Sequence, residues 1–171
     1  MIENMHQFIT STDLAGITPE IILTLTAICV LSLDMLRISK ASISMSIATL
    51  GIVASGTVIF QGTGYSGLLF GGMLKINLFT TFFDLLYLAI GLATLLFSQG
   101  YLEKKGGEYR GEYPALIIFS VIGMMLMTRA NDLLILFLGL ELLSLSLYVL
   151  VGFLQHNLHS NEAGLKYLLL G

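Results

Sequence analysis

The sequence predicts an all-α, polytopic membrane protein: a transmembrane helix bundle with five complete spans and a truncated sixth. Three observations carry this prediction. Of 171 residues, 56% are hydrophobic and only 11% charged, whereas a soluble domain has about 25% charged residues. Mean hydropathy is +0.88. The apolar residues are gathered into runs near the ~20 residues that a helix needs to cross ~30 Å of hydrocarbon. Other classes fall away on composition. Two prolines and 18 glycines do not make a disordered or collagenous chain. The single cysteine, Cys29, excludes a disulfide framework and any CxxC metal or haem site. A net charge of −3 leaves no basic patch for nucleic acid.

The predicted spans are Thr18–Leu36, Ile43–Phe60, Leu78–Phe97, Pro114–Thr128 and Leu133–Leu154, in one membrane domain covering residues 1–171. The first is no cleaved signal peptide, because Glu3, Asp13 and Glu20 occupy the stretch where a basic region would stand. Thr18-Pro19-Glu20 reads as a helix start, with proline in the first turn and an acid complementing the helix dipole. In the second span Ser42, Ser44, Ser46, Gly51, Ser55 and Gly56 make a helix too polar to face lipid all round. The pairs Ser44/Ala48 and Gly51/Ser55 have the small-xxx-small spacing that lets backbones approach, so this helix is expected among others; a polar wall along a water path is the alternative. The fourth span is short unless Tyr113 and Arg129 lie at the interfaces. A sixth helix begins near Ser160, and its 12 residues to Gly171 give about 18 Å of helix, too little to cross. The sequence is therefore expected to stop inside a helix.

Basic residues set the expected orientation. The connections after the first, third and fifth spans hold Arg37, Lys40, Lys104, Lys105 and Arg110, against Lys75 and Arg129 on the other side. The rule that basic loops stay inside then places the N-terminus outside, which is periplasmic if the membrane is a bacterial cell inner membrane. The loop Gly100–Glu112 is polar and glycine-rich, flanked by Tyr101, Tyr109 and Tyr113, and reads as an exposed cytoplasmic connection. In Gln61–Asn77, glycines bracket the apolar runs Gly67–Phe70 and Met73–Ile76, which predicts a small outer hairpin.

Charges inside spans are expensive and mark functional candidates. Glu141 is the sole charge in the 22-residue run Leu133–Leu154 and sits near its middle. Ser144 and Tyr148 fall on its face at helical spacing. A carboxyl isolated there takes up a proton unless a cation stands nearby, which makes Glu141 a candidate proton carrier; a protonated carboxyl hydrogen-bonded to a neighbouring helix is the alternative. Lys166 is the partner to test. Depth arithmetic places the two residues roughly 5–10 Å apart along the membrane normal, near enough for a direct or water-bridged pair if they face each other. Otherwise Lys166 snorkels to the cytoplasmic interface. Asp34 reads as an end-of-helix ion pair with Arg37. Asp84, on a face with Thr80 and Tyr87, is either an outer-side proton or polar contact or a structural hydrogen bond. His156 and His159, in QHNLHSN, read as solvated loop residues, so no metal is expected.

Gly111–Gly171, with NDLLILFLGLELLSLSLYVL around Glu141 and EAGLKYLLLG around Lys166, resembles the antiporter-like membrane subunit N of proton-pumping NADH-quinone oxidoreductase (respiratory complex I), called subunit 2 in mitochondria. TPEIIL and Asp34 resemble the family's first helix. Sister subunits carry a Trp-Glu pair where Leu140 precedes Glu141 here, which favours subunit N. The resemblance covers the N-terminal third of a family member and implies that Glu141 is the family's central glutamate and Lys166 its sixth-helix lysine. Ser146 stands where many relatives have proline, and Asn77 where they often have aspartate. The principal partner of the central glutamate, a lysine on a broken seventh helix, has no counterpart in this sequence. The resemblance further implies that the chain binds no cofactor itself: NADH, FMN, iron–sulfur clusters and quinone belong to partner subunits. The chain would contribute proton translocation coupled to quinone reduction, beside other membrane subunits and the lipid bilayer. A stand-alone cation/proton antiporter, or a structural or assembly fragment of a related hydrogenase or ferredoxin-linked complex, are the alternatives.

The charge asymmetry predicts the topology directly. A cysteine introduced near Gly107 should react with an impermeant thiol reagent only from the cytoplasmic side, and one near Gly64 only from the outside. Opposite labelling would reverse the orientation.

Overall fold

The structure, a computed structural model, describes residues 11–36, 41–104, 111–153 and 158–170. Pro19 stands in the first turn of the helix α2 (Thr18–Met35), where its missing N–H costs nothing. Ahead of it lies a short helix, α1 (Ser11–Gly16), which the sequence did not announce. The helices α3 (Ala41–Gln61), α4 (Leu78–Lys104), α5 (Glu112–Arg129) and α6 (Leu133–Val151) follow. With α2, they are the five helices among the described residues that are long and apolar enough to cross a membrane. The last described element is α7 (Leu158–Leu170).

The predicted hairpin forms. Strands β1 (Gly67–Leu69) and β2 (Leu74–Ile76) pair antiparallel, with Leu69 opposite Leu74. The reversal between them runs through Phe70, Gly71 and Gly72, all at positive φ; two glycines there accept a backbone that side chains disfavour. The hairpin is docked: Asn131 donates its backbone N–H to the Met73 carbonyl at 2.9 Å and its side-chain amide to the Gly72 carbonyl at 2.7 Å. Leu69, Leu74 and Ile76 are buried beneath it as a small second core.

Several boundaries differ from expectation. At 27 residues, α4 is about 40 Å long and outruns a hydrocarbon layer of about 30 Å, so its last turn takes Tyr101 and Lys104 out of the predicted loop. His159 lies in the first turn of α7 rather than in a loop. Arg37, Lys40, Lys105, Tyr109, Arg110 and His156 lie outside the described residues, as therefore does the Asp34–Arg37 pair.

The main core is organised around α5, which packs on α2, α3, α4 and α6. Ile118, Val121 and Met125 of α5 are buried against Leu23 and Ala27 of α2, Ile52 of α3 and Leu88 of α4. Because lipid tails are as apolar as leucine, such seams are held by close packing and polar contacts rather than by exclusion from water. The small residues of α3 serve this end: Ser44, Ala48, Gly51 and Ser55 are buried, and the Ser55 hydroxyl donates to the Pro19 carbonyl at 3.1 Å. At the α5–α6 seam a Cβ on Gly123 would lie 2.8 Å from both the Gly139 carbonyl oxygen and the Leu143 backbone nitrogen. Those are backbone atoms that cannot swing away.

Gly123→Val should therefore separate α5 from α6, and a cost of about 2 kcal/mol or more is expected from overpacking against backbone. Thermal unfolding of the protein in nanodiscs checks it: a midpoint equal to that of the unsubstituted chain would show that the seam tolerates a side chain.

Candidate functional site

Among the described residues, two charged regions of the helical bundle are built on opposite principles. The first gathers the ends of four helices around Arg129. This side chain closes α5 and is 3% exposed. Its Nε donates to Asp84 Oδ2 at 2.8 Å, and Nη2 lies 2.7 Å from the same oxygen. Nη1 donates to the Gly16 carbonyl at the end of α1 at 3.0 Å and lies 2.6 Å from Glu20 Oε1. The Glu20 contact is an ion pair made through Oε1. Asp84 is fully buried, and its second oxygen, Oδ1, has no hydrogen-bond partner.

Local structure explains how the three charges meet. Glu20 is in the first turn of α2, Asp84 in the second turn of α4 and Arg129 in the last turn of α5. With α5 antiparallel to both, all three stand at the end of the bundle that carries the hairpin. Neighbouring polar contacts tie the same elements together. Asp13 Oδ1 accepts the Phe70 backbone N–H at 3.0 Å, which ties α1 to the hairpin. Asn77 and Thr80 cap α4 reciprocally, with Thr80 N–H donating to Asn77 Oδ1 at 2.8 Å and Asn77 N–H to the Thr80 hydroxyl at 3.0 Å. The Tyr87 hydroxyl lies 2.9 Å from that of Thr128. Beside the cluster, a cavity of about 220 Å³ runs between Thr12, Pro19, Gly62, Tyr65 and Thr81 and reaches Arg129.

Arg129 was expected at an interface, among the basic residues of the outer connections, and Glu20 at a helix cap. Both are instead partners in a buried ion cluster, and Asp84 joins them. The cause is the cost of an unpaired charge in a medium without water, which draws the guanidinium inward to the acids.

The second region surrounds Glu141, midway along α6. That helix docks on α5 through Gly139 and Ser146, both buried, with Leu142 and Leu150 packed on the core. Glu141 lies about 160° round the helix from Gly139, so its half-buried carboxyl faces away from α5. It takes part in no ion pair among the described residues. Ser144 gives its hydroxyl to the Leu140 carbonyl at 2.7 Å, within the helix. Tyr148, lower on the same face, stacks edge-on against Tyr167 of α7 at 5.2 Å between ring centres.

Lys166 does not meet Glu141. It pairs with Glu162 at 2.5 Å, one turn back on α7, and both side chains are largely exposed. The contacts Tyr148–Tyr167 and Gly152–Gly164 set α7 antiparallel to α6. This register puts Lys166 level with residues 149–150, about 13 Å along the axis from Glu141, beyond the expected depth difference and beyond direct pairing.

Comparisons with known proteins agree with one another. Residues 130–171, which include both Glu141 and Lys166, match the family described as NADH:quinone oxidoreductase/Mrp antiporter, TM. NADH-quinone oxidoreductase subunit N of Trichlorobacter lovleyi is 38% identical over 98% of this chain and 34% of its own length. The subunit N 1 of Solibacter usitatus is 40% identical over 93% of this chain and 33% of its own. The chain thus spans about a third of the length of these relatives. Among solved structures, a chain of respiratory complex I from Thermus thermophilus with bound aureothin superposes with a TM-score of 0.73 at 24% identity, over 89% of this chain and 32% of that one. The fold is shared.

The ion cluster makes a prediction about stability. Arg129→Met leaves Glu20 and Asp84 buried without their cation and should cost about 3–5 kcal/mol, the range for removing one partner of a buried pair. Adding Glu20→Gln and Asp84→Asn should recover most of that loss. Unfolding midpoints of the single and triple variants check it, and a triple variant no better than the single would show that Arg129 matters for packing alone.

Proposed function

We propose that this chain, a homologue of NADH-quinone oxidoreductase subunit N over nearly its whole length, contributes to proton translocation coupled to quinone reduction, as the corresponding third of that membrane subunit. The observation that carries the proposal is the position of Glu141: a carboxyl in the middle of an apolar 19-residue helix, turned away from the seam that packs its own bundle. A charge with a purely structural task would be expected to be closed off by partners, as Arg129 is. An acid left half-buried on an open face is suited to exchange a proton with a group brought against that face.

Glu141 acts in this reading as the proton carrier. Taking up a proton removes a negative charge and thereby changes the proton affinity of any ionisable group within several ångströms. Lys166 is the basic group of the same proton path on α7, held by Glu162 and separated from Glu141 by the Ser144, Tyr148 and Tyr167 side of the α6–α7 pair. At about 13 Å the two communicate through intervening polar groups and water. Other membrane subunits of the complex are the partners, and NADH, FMN, the iron–sulfur clusters and quinone are bound by partner subunits. The membrane is a bacterial inner membrane, with the N-terminus periplasmic.

The test is Glu141→Gln in the assembled complex, compared with Asp132→Asn. Glutamine keeps the size and hydrogen bonding of Glu141 and cannot exchange a proton. Asparagine at 132 still caps α6, where Asp132 accepts the Leu134 N–H at 2.7 Å. Proton pumping by inverted vesicles, read with a pH-sensitive dye, should fall at least tenfold for Glu141→Gln, about 1.4 kcal/mol or more in barrier terms, and remain near normal for Asp132→Asn. Normal pumping by an assembled Glu141→Gln complex would overturn the carrier role.

A further inference from the structure

The cluster at the hairpin end of the bundle holds more acids than bases. Glu20 and Asp84 bring two carboxyls to one guanidinium, and all three side chains are more than nine-tenths buried. If both acids were ionised, one negative charge would remain uncompensated. Helix dipoles do not supply the balance. The N-terminus of α2 offsets part of the charge on Glu20, but Asp84 lies beyond the first turn of α4, where the effect has faded, and the C-terminus of α5 draws on the charge of Arg129 instead. Among the described residues, the other charged groups near this end are engaged elsewhere or exposed. Asp13 is turned to the hairpin backbone, Lys75 on β2 is exposed, Asp132 caps its own helix, and α3 has no ionisable side chain.

The hydrogen-bond pattern shows where the missing positive charge fits. Arg129 spends both Nε and Nη2 on a single oxygen of Asp84, so Oδ1 is left with no donor. A buried carboxylate oxygen without a donor is costly, whereas a carboxyl O–H turned onto a neighbouring oxygen satisfies both. We propose that Glu20 and Asp84 together hold one exchangeable proton, which makes the cluster with Arg129 a protonation site that exchanges with outer-side water through the adjoining cavity. The site takes that proton from water and returns it to water, and only an O–H bond forms or breaks. The cavity is lined by Arg129, which contacts both carboxyls, and by the exposed Thr12, Gly62 and Tyr65. The proposal stands apart from the role given to Glu141.

A shared proton has a signature that a single buried acid lacks. In Glu20→Gln, or in Asp84→Asn, one carboxylate faces one guanidinium and no proton is needed. Infrared difference spectra of the assembled complex, unsubstituted minus variant at neutral pH, should therefore show the carbonyl-stretch band of one protonated carboxylic acid lost in each single variant. No loss in either overturns the proposal. Loss in only one also overturns it, since the proton then belongs to one acid alone. A second variant leaves the acids untouched: at Gly62 a Cβ meets only the Val58 and Ile59 carbonyl oxygens, at 3.5 and 3.7 Å, so Gly62→Leu is sterically acceptable and narrows the mouth. It should retain the band and slow its hydrogen–deuterium exchange. An unchanged exchange rate would overturn the cavity as the route.

Discussion

The guanidinium of Arg129 is the constraint on which the rest of the arrangement depends. In a bilayer no water reaches the end of α5 from the side, so a cation there must be satisfied by protein. Glu20, Asp84 and the Gly16 carbonyl satisfy it, and they come from α2, α4 and the end of α1. Fixing two side chains and a backbone carbonyl on one guanidinium fixes the rotation of α2 and α4 against α5. Once α2 and α4 are turned so that their acids point at Arg129, Leu23 and Leu88 point at the centre, where Ile118 and Val121 of α5 are waiting. Burial of such a cluster is weak evidence for net stability, because desolvation opposes the attraction. Its effect is specificity: one rotation of each helix is compatible with it, and the smooth apolar faces alone would permit several.

Much of this fold was legible in the sequence because single helices announce themselves by length and hydropathy. The five spans, the tight hairpin around Gly71 and Gly72, and the packed character of the serine-rich α3 all follow from local pattern. What was not legible is what depends on two helices at once. Arg129 read as an interfacial residue because, taken alone, it is a charge at the end of a span. The signal that could have found the cluster was nonetheless present: up-and-down topology puts the start of α2, the start of α4 and the end of α5 on one side, so two acids and one base share a depth. Reading depth across helices, rather than faces within each, would have paired them.

Glu141 shows the complementary case. Its position in the middle of α6 is evident from the sequence, and its direction is not. Gly139 and Ser146 determine that direction, since the α5 backbone approaches α6 too closely at Gly123 for any other face to fit. The same small residues that hold α6 to the bundle thereby turn the acid away from it. Lys166 is likewise turned outward, because Gly164 and Tyr167 take the seam with α6 and leave the Glu162–Lys166 side of α7 free.

The two regions therefore divide the ionisable groups by how completely the chain closes around them. Around Arg129 the ends of α1, α2 and α4 close on the guanidinium, and a cavity of about 220 Å³ adjoins it. Around Glu141 the chain provides a helix, a hydroxyl and a tyrosine ring on one side and leaves the other side exposed. A group enclosed by its own bundle is set in its role when that bundle folds. A group on an open face takes its role from whatever packs there, and its proton affinity follows the charge of that neighbour. The ion cluster is thus defined by contacts within this chain, whereas the surroundings of Glu141 are only partly supplied by it.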